Sequence, residues 1–144
     1  MPTCYFLTLS VGSSLDQHTN NVTLFNLVEQ INIRPQAVPQ PGTRVPLEVH
    51  AYFAFSGEEI GRDFDMRLAL TSTTTGLEIY SEPVTHRAAA LRVRTRLVGV
   101  PFPPHLGHYD LRVELRSGQG SWARDAQRWP VSFIEADARP PVTH

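Results

Sequence analysis

The stretch from Val100 to Leu115 reads VPFPPHLGHYDLRVEL. Three prolines (Pro101, Pro103, Pro104) lead to Gly107, and a strongly alternating segment follows. Tyr109, Leu111, Val113 and Leu115 share one parity; Asp110, Arg112, Glu114 and Arg116 share the other. Side chains of a strand point alternately to its two faces, so this pattern predicts a half-buried antiparallel strand with a polar outer face.

The rest of the chain extends that reading. Cys4–Val11 predicts a first strand, with Tyr5, Leu7, Leu9 and Val11 on one face. Gly12–Asn21 is a polar connector ending in the turn signal Asn20-Asn21. Val22–Ile33 predicts one long second strand, either central or bulged, because apolar residues of both parities occur in it. Arg34–Pro46 holds four prolines and predicts a rigid connection between sheets; a polyproline ligand is the functional alternative. Leu47–Phe55 and Asp63–Thr71 alternate cleanly and predict a β-hairpin, with His50 and Tyr52 outward. Leu77–Tyr80 predicts a short strand near an edge, ended by Pro83. Ala88–Val98 predicts a strand with Leu91, Val93, Thr95 and Leu97 on one face and Arg92, Arg94 and Arg96 on the other. Trp129–Glu135 predicts the last strand, and residues 136–144 a mobile C-terminal tail. The expectation is a single domain over residues 1–135. Its fold class is all-β: an antiparallel two-sheet immunoglobulin-like sandwich of about eight strands.

Composition narrows the function. The 144 residues carry a formal net charge of -1, so no bulk field draws the chain to nucleic acid or to acidic lipid. All 13 basic residues are arginine. A GC-rich coding bias, and with it a bacterial source, is the plain reading; selection for guanidinium chemistry is the sharper one. The single cysteine, Cys4, precludes an internal disulfide and fits a reducing cytoplasm. That makes the sequon Asn21-Val22-Thr23 irrelevant. No apolar run approaches the roughly 20 residues of a membrane span, and Met1–Val11 lacks the charged start of a signal peptide. A cytoplasmic protein without membrane contact is expected.

The layout resembles a group of small bacterial β-sandwich proteins of unknown function. The features that carry the likeness are the short first strand Cys4–Val11, the long strand Leu24–Ile33, the proline-rich link, the charged hairpin and the opening FPPHLGHY of the penultimate strand. The resemblance implies a fold and supplies no activity, since that family has no assigned catalytic residues. The lead-in also resembles the corner of immunoglobulin-like sandwiches, where a tyrosine ties the chain together. Tyr109 matches that tyrosine, and Leu111 stands where antibody domains place their second cysteine.

Four groups invite functional readings. Arg92, Arg94 and Arg96 lie about 7 Å apart along one strand face and suit phosphates or a partner's carboxylates; the plainer reading pairs them with Asp110 and Glu114 across strands. Trp122, after a Gly-Ser tip, suits an interface or local packing, whereas Trp129 heads a strand and suits the core. His105 and His108 are three apart, but no further ligand is placed to complete a metal site. No Gly-x-Ser-x-Gly stretch and no glycine-rich phosphate loop occurs, so no catalytic residue and no cofactor is expected. The leading expectation is a non-catalytic protein-binding or assembly module of a bacterial cytosolic system, using Arg92, Arg94, Arg96 and Trp122. The alternatives are a self-assembling, phage- or shell-like subunit pairing through Leu77–Tyr80, and a small-ligand protein or enzyme with a site around His86 and His105.

Overall fold

The structure, a computed structural model, describes residues 2–136. The tail expected from Ala136 onward therefore lies, beyond that residue, outside the described residues. The rest is an all-β sandwich of eleven strands in two sheets. One sheet has the order β2-β1-β4-β8, built from β1 (Thr3–Leu15), β2 (Val22–Leu27), β4 (Arg44–Ala54) and β8 (Arg92–Pro101). The other has the order β3-β11-β9-β5-β6, built from β3 (Gln30–Ile33), β5 (Asp63–Ser72), β6 (Glu78–Tyr80), β9 (Gly107–Arg116) and β11 (Trp129–Glu135). The short β7 (Val84–Arg87) pairs with β5, and β10 (Ala123–Arg124) pairs with β9.

The alternation of β4, β5 and β9 sets the core. Val49, Ala51, Phe53 and Phe55 meet Phe64, Met66, Leu68 and Leu70, with Tyr109, Leu111, Val113 and Leu115 beside them. Val131 and Phe133 of β11 close one end. Each wholly buried Leu, Val or Phe side chain contributes roughly 1.5–3 kcal/mol. The proline-rich corner is fixed by the Tyr109 hydroxyl, which donates to the His105 carbonyl. The Tyr109 ring stands edge-on to Phe133, with centroids 5.7 Å apart.

Several expectations are corrected. Val22–Ile33 is two strands in different sheets, β2 antiparallel to β1 and β3 parallel to β11. Near the end of β2 the chain bends at Asn26, whose φ is 52°, a left-handed conformation that asparagine tolerates better than most residues. Apolar residues of both parities were thus the mark of a change of sheet. The β3–β11 pair also makes the sandwich not wholly antiparallel. β4 and β5 are not a hairpin, because they belong to opposite sheets and Ser56–Arg62 crosses between them. Arg44–Pro46 is strand, not connector. A register shift between Val45 and Glu48 absorbs Pro46, which has no N–H to give a ladder. The strand count rises from eight to eleven because 22–33 divides and the short β7 and β10 are added.

Candidate protein-binding face

The outer face of the β2-β1-β4-β8 sheet carries the arginine row, and strand register places each residue's neighbours. Arg94 lies opposite Tyr52, which lies opposite Phe6. Arg96 lies opposite His50, which lies opposite Thr8. Val98 lies opposite Glu48, which lies opposite Ser10, with Leu27 beyond it on β2.

Parity alone leaves Thr8, Ser10 and His50 in solvent, and here the sequence reading fails. All three are buried, His50 to 3% exposure. The cause is the length of β1. Its last residues, Gly12–Leu15, pair only with β2, and this free end of the hairpin curls over the sheet. The Ser13 hydroxyl donates to Glu48 Oε1 at 2.6 Å. Arg94 Nη1 donates to the Asn20 carbonyl at the hairpin turn at 2.9 Å. Between hairpin and sheet lies a recess of about 300 Å³, lined by residues that include Leu15, Val22, His50, Tyr52, Arg94 and Arg96. A second, shallower recess of about 470 Å³ shares Val22, Tyr52 and Arg94 and extends to Tyr5 and Phe6.

The electrostatics of this groove centre on Glu48. Its Oε1 accepts from Ser13 and from Arg96 Nε at 3.0 Å. The Ser13 hydrogen bond, helped by the Arg96 charge, holds its carboxyl below the usual range. His50 Nε2 is 3.2 Å from the same oxygen, a contact that strengthens when the imidazole carries its proton. Burial pushes the imidazole down from its ordinary value, against the pull of Glu48. Arg92 is exposed and makes no hydrogen bond or ion pair among the described residues.

The expected pairing of the arginine row with Asp110 and Glu114 is overturned, because β8 and β9 belong to different sheets. Asp110 instead meets Arg128 at 3.3 Å. Glu114 accepts from Arg67 and Arg124, and Arg124 also reaches Glu78 at 2.6 Å. Trp122 lies on that opposite outer face, half-buried between the guanidinium groups of Arg67 (4.3 Å) and Arg116 (4.4 Å). Arg67 also stacks on Tyr80. Trp122 and the arginine row thus face away from each other, on opposite sides of the sandwich. Trp129 packs against the core and donates from its indole N–H to the Val28 carbonyl.

His86 is stacked on Phe64 at one end of β5, whereas Tyr109, just after His105, lies opposite Ser72 at the other end. The two histidines are on the order of 25 Å apart by strand rise, so they do not share a site. No group of three metal-ligating side chains occurs among the described residues, and His108 Nδ1 contacts the Ser132 hydroxyl at 2.6 Å.

Together these features define a β-sandwich with one outer face closed by its own ion pairs and an opposite face that is basic and apolar and partly covered by the β1–β2 hairpin. The chain matches no family model and no curated protein. No helix among the described residues is long and apolar enough to cross a membrane.

Proposed function

We propose that the protein is a non-catalytic binding module, which presents the outer face of its β2-β1-β4-β8 sheet to a protein partner. The observation that carries this reading is a cluster of aromatic side chains, the exposed Tyr5 and Phe6 with Tyr52, beside Arg92 and Arg94, which meet no carboxylate among the described residues. Single exposed apolar residues are ordinary, whereas a cluster of aromatics rimmed by arginine has the composition of interface centres. The opposite face supports the same choice by contrast, since its arginines are bound to Glu114, Asp65 and Glu78. A catalytic reading gains nothing from the polar groups of the groove. Ser13 donates to Glu48 rather than to His50, and a carboxyl held below its usual range is a weak base toward a hydroxyl.

The partner is a different protein. Self-assembly through β6 has little support, because that strand is three residues long and Tyr80 and Glu78 are engaged in its own sheet. Pairing of β8 with a second β8 brings arginine rows together, an arrangement that like charges oppose. The lone cysteine and the arginine-only basic set fit a bacterial cytosol. The tied tyrosine corner fits an immunoglobulin-like sandwich, and with it the small bacterial β-sandwich family that the sequence resembles.

The test is affinity capture from native cells with the wild-type chain and with Arg92→Glu/Arg94→Glu. The expected result is one stoichiometric protein retained by the wild type and lost from the double variant, with both chains equally folded. Equal retention by the two chains refutes the reading.

A further inference from the structure

The geometry points to the groove beneath the β1–β2 hairpin as a carboxylate-binding subsite, which takes an acid group of a partner polypeptide flanked by a large apolar residue. This inference rests on the protein-binding reading above and specifies what that face recognises.

Three observations support it. First, His50 lines the recess while its fully buried Nε2 lies 3.2 Å from Glu48, so its ring reports on whatever enters without itself taking the ligand. Second, the adjacent guanidinium groups of Arg94 and Arg96 each spend one N–H on the protein, on the Asn20 carbonyl and on Glu48 respectively. Their remaining donors flank the same recess, and two arginines against one glutamate leave it net positive. Planar guanidinium forks suit carboxylates geometrically. Third, the recess passes beside Tyr52 into the shallower one walled by Tyr5 and Phe6, whose ring centroid lies 5.0 Å from that of Tyr52. An acid held at Arg94 and Arg96 therefore sets its neighbouring group against aromatic rings.

The acid can come from a side chain or from a chain end, and two probes separate these sources. N-acetylphenylalanine mimics a chain end. N-acetyl-aspartyl-phenylalanine amide mimics an internal acidic residue. N-acetylphenylalanine amide is the neutral control. Each is titrated into the isotope-labelled full chain while the resonances of His50 and Tyr52 are followed. At least one acid should shift both saturably, with Kd on the order of 1–10 mM for so small a probe, and the control should not. The tighter acid identifies the source. Arg94→Gln should weaken the acid about tenfold or more, with changes in the ligand-free spectrum confined to the neighbourhood of position 94 and the β1–β2 turn it holds. Absence of a saturable shift with either acid, or equal shifts with the neutral control, overturns the inference. If the probes fail while the native partner is still captured, the subsite is refuted and the binding module stands. If the probes bind but no partner is captured, the reverse holds.

Discussion

Replacing Glu114 by glutamine tests why one face of the sandwich is closed. Glu114 is 6% exposed on the outer side of β9. Its Oε1 accepts from Nε and Nη2 of Arg67 at 2.8 and 2.7 Å, and its Oε2 from Nε and Nη2 of Arg124 at 3.1 and 3.0 Å. Glutamine keeps the shape and one acceptor oxygen, but turns its NH2 toward the other guanidinium. One arginine then keeps a weaker partner and the second meets a donor. A charged hydrogen bond contributes about 1.5–3 kcal/mol, and partial exposure of both arginines lets water recover some of the loss. The expected destabilisation is about 3 kcal/mol, or a fall in Tm of roughly 6–12 °C for a chain of this length. Urea unfolding followed by far-ultraviolet circular dichroism is the assay, and m should stay unchanged while the midpoint falls. The double variant Arg67→Met/Glu114→Leu should cost less than the two single variants summed, because each charge is the other's partner. A loss below about 0.5 kcal/mol for Glu114→Gln, or simple additivity of Arg67→Met and Glu114→Leu, refutes the claim that this network is a desolvated, mutually dependent unit.

Other outcomes follow from the same geometry. Trp122→Ala removes two cation–π contacts and should cost about 1–2 kcal/mol in thermal or urea unfolding, while partner affinity stays as it was. Burial, with help from Asp125, pushes the Cys4 thiol up to about 11, so a thiol reagent near pH 8 should label the native chain only at its rate of opening and the urea-unfolded chain at once. Burial holds both His50 and His86 below 6.5. The unfolded chain therefore binds protons more readily, and stability should be flat above about pH 7 and fall as pH drops below 6.5 toward the folded values. His86→Phe, which keeps the stack on Phe64, should flatten that slope in urea titrations across the same range; an unaltered slope refutes a contribution from His86.

The sequence is most legible where one face of a strand is simply buried. In β4, β5 and β9 the alternation identifies the inward core residues, although His50, Ala69 and Glu114 on the outer sides are buried as well. It is least legible where a segment far along the chain covers a face. Thr8, Ser10 and His50 alternate like solvent-facing residues, and only the curl of Gly12–Leu15 buries them. No local pattern signals a strand that outruns its partner, though the two small polar residues of β1 facing a histidine are its only trace. Pairing is likewise invisible to a reading that proceeds along the chain. Arg94 and Glu114 look like cross-strand partners until the sheets are assigned, since β8 and β9 are consecutive in sequence and separate in space. The arginine row itself was legible as a candidate site, whereas the recess beneath the hairpin was not, because it depends on register across three strands and on a turn tip held by a backbone carbonyl.

The most direct test of the binding face is hydrogen exchange of the chain alone and in complex with the captured partner. Slowed exchange confined to β1, β4, β8 and the β1–β2 turn is the predicted result. Slowed exchange on β6, β10 and the Trp122 region, with the arginine-row strands unchanged, would place the partner on the opposite sheet and contradict the account.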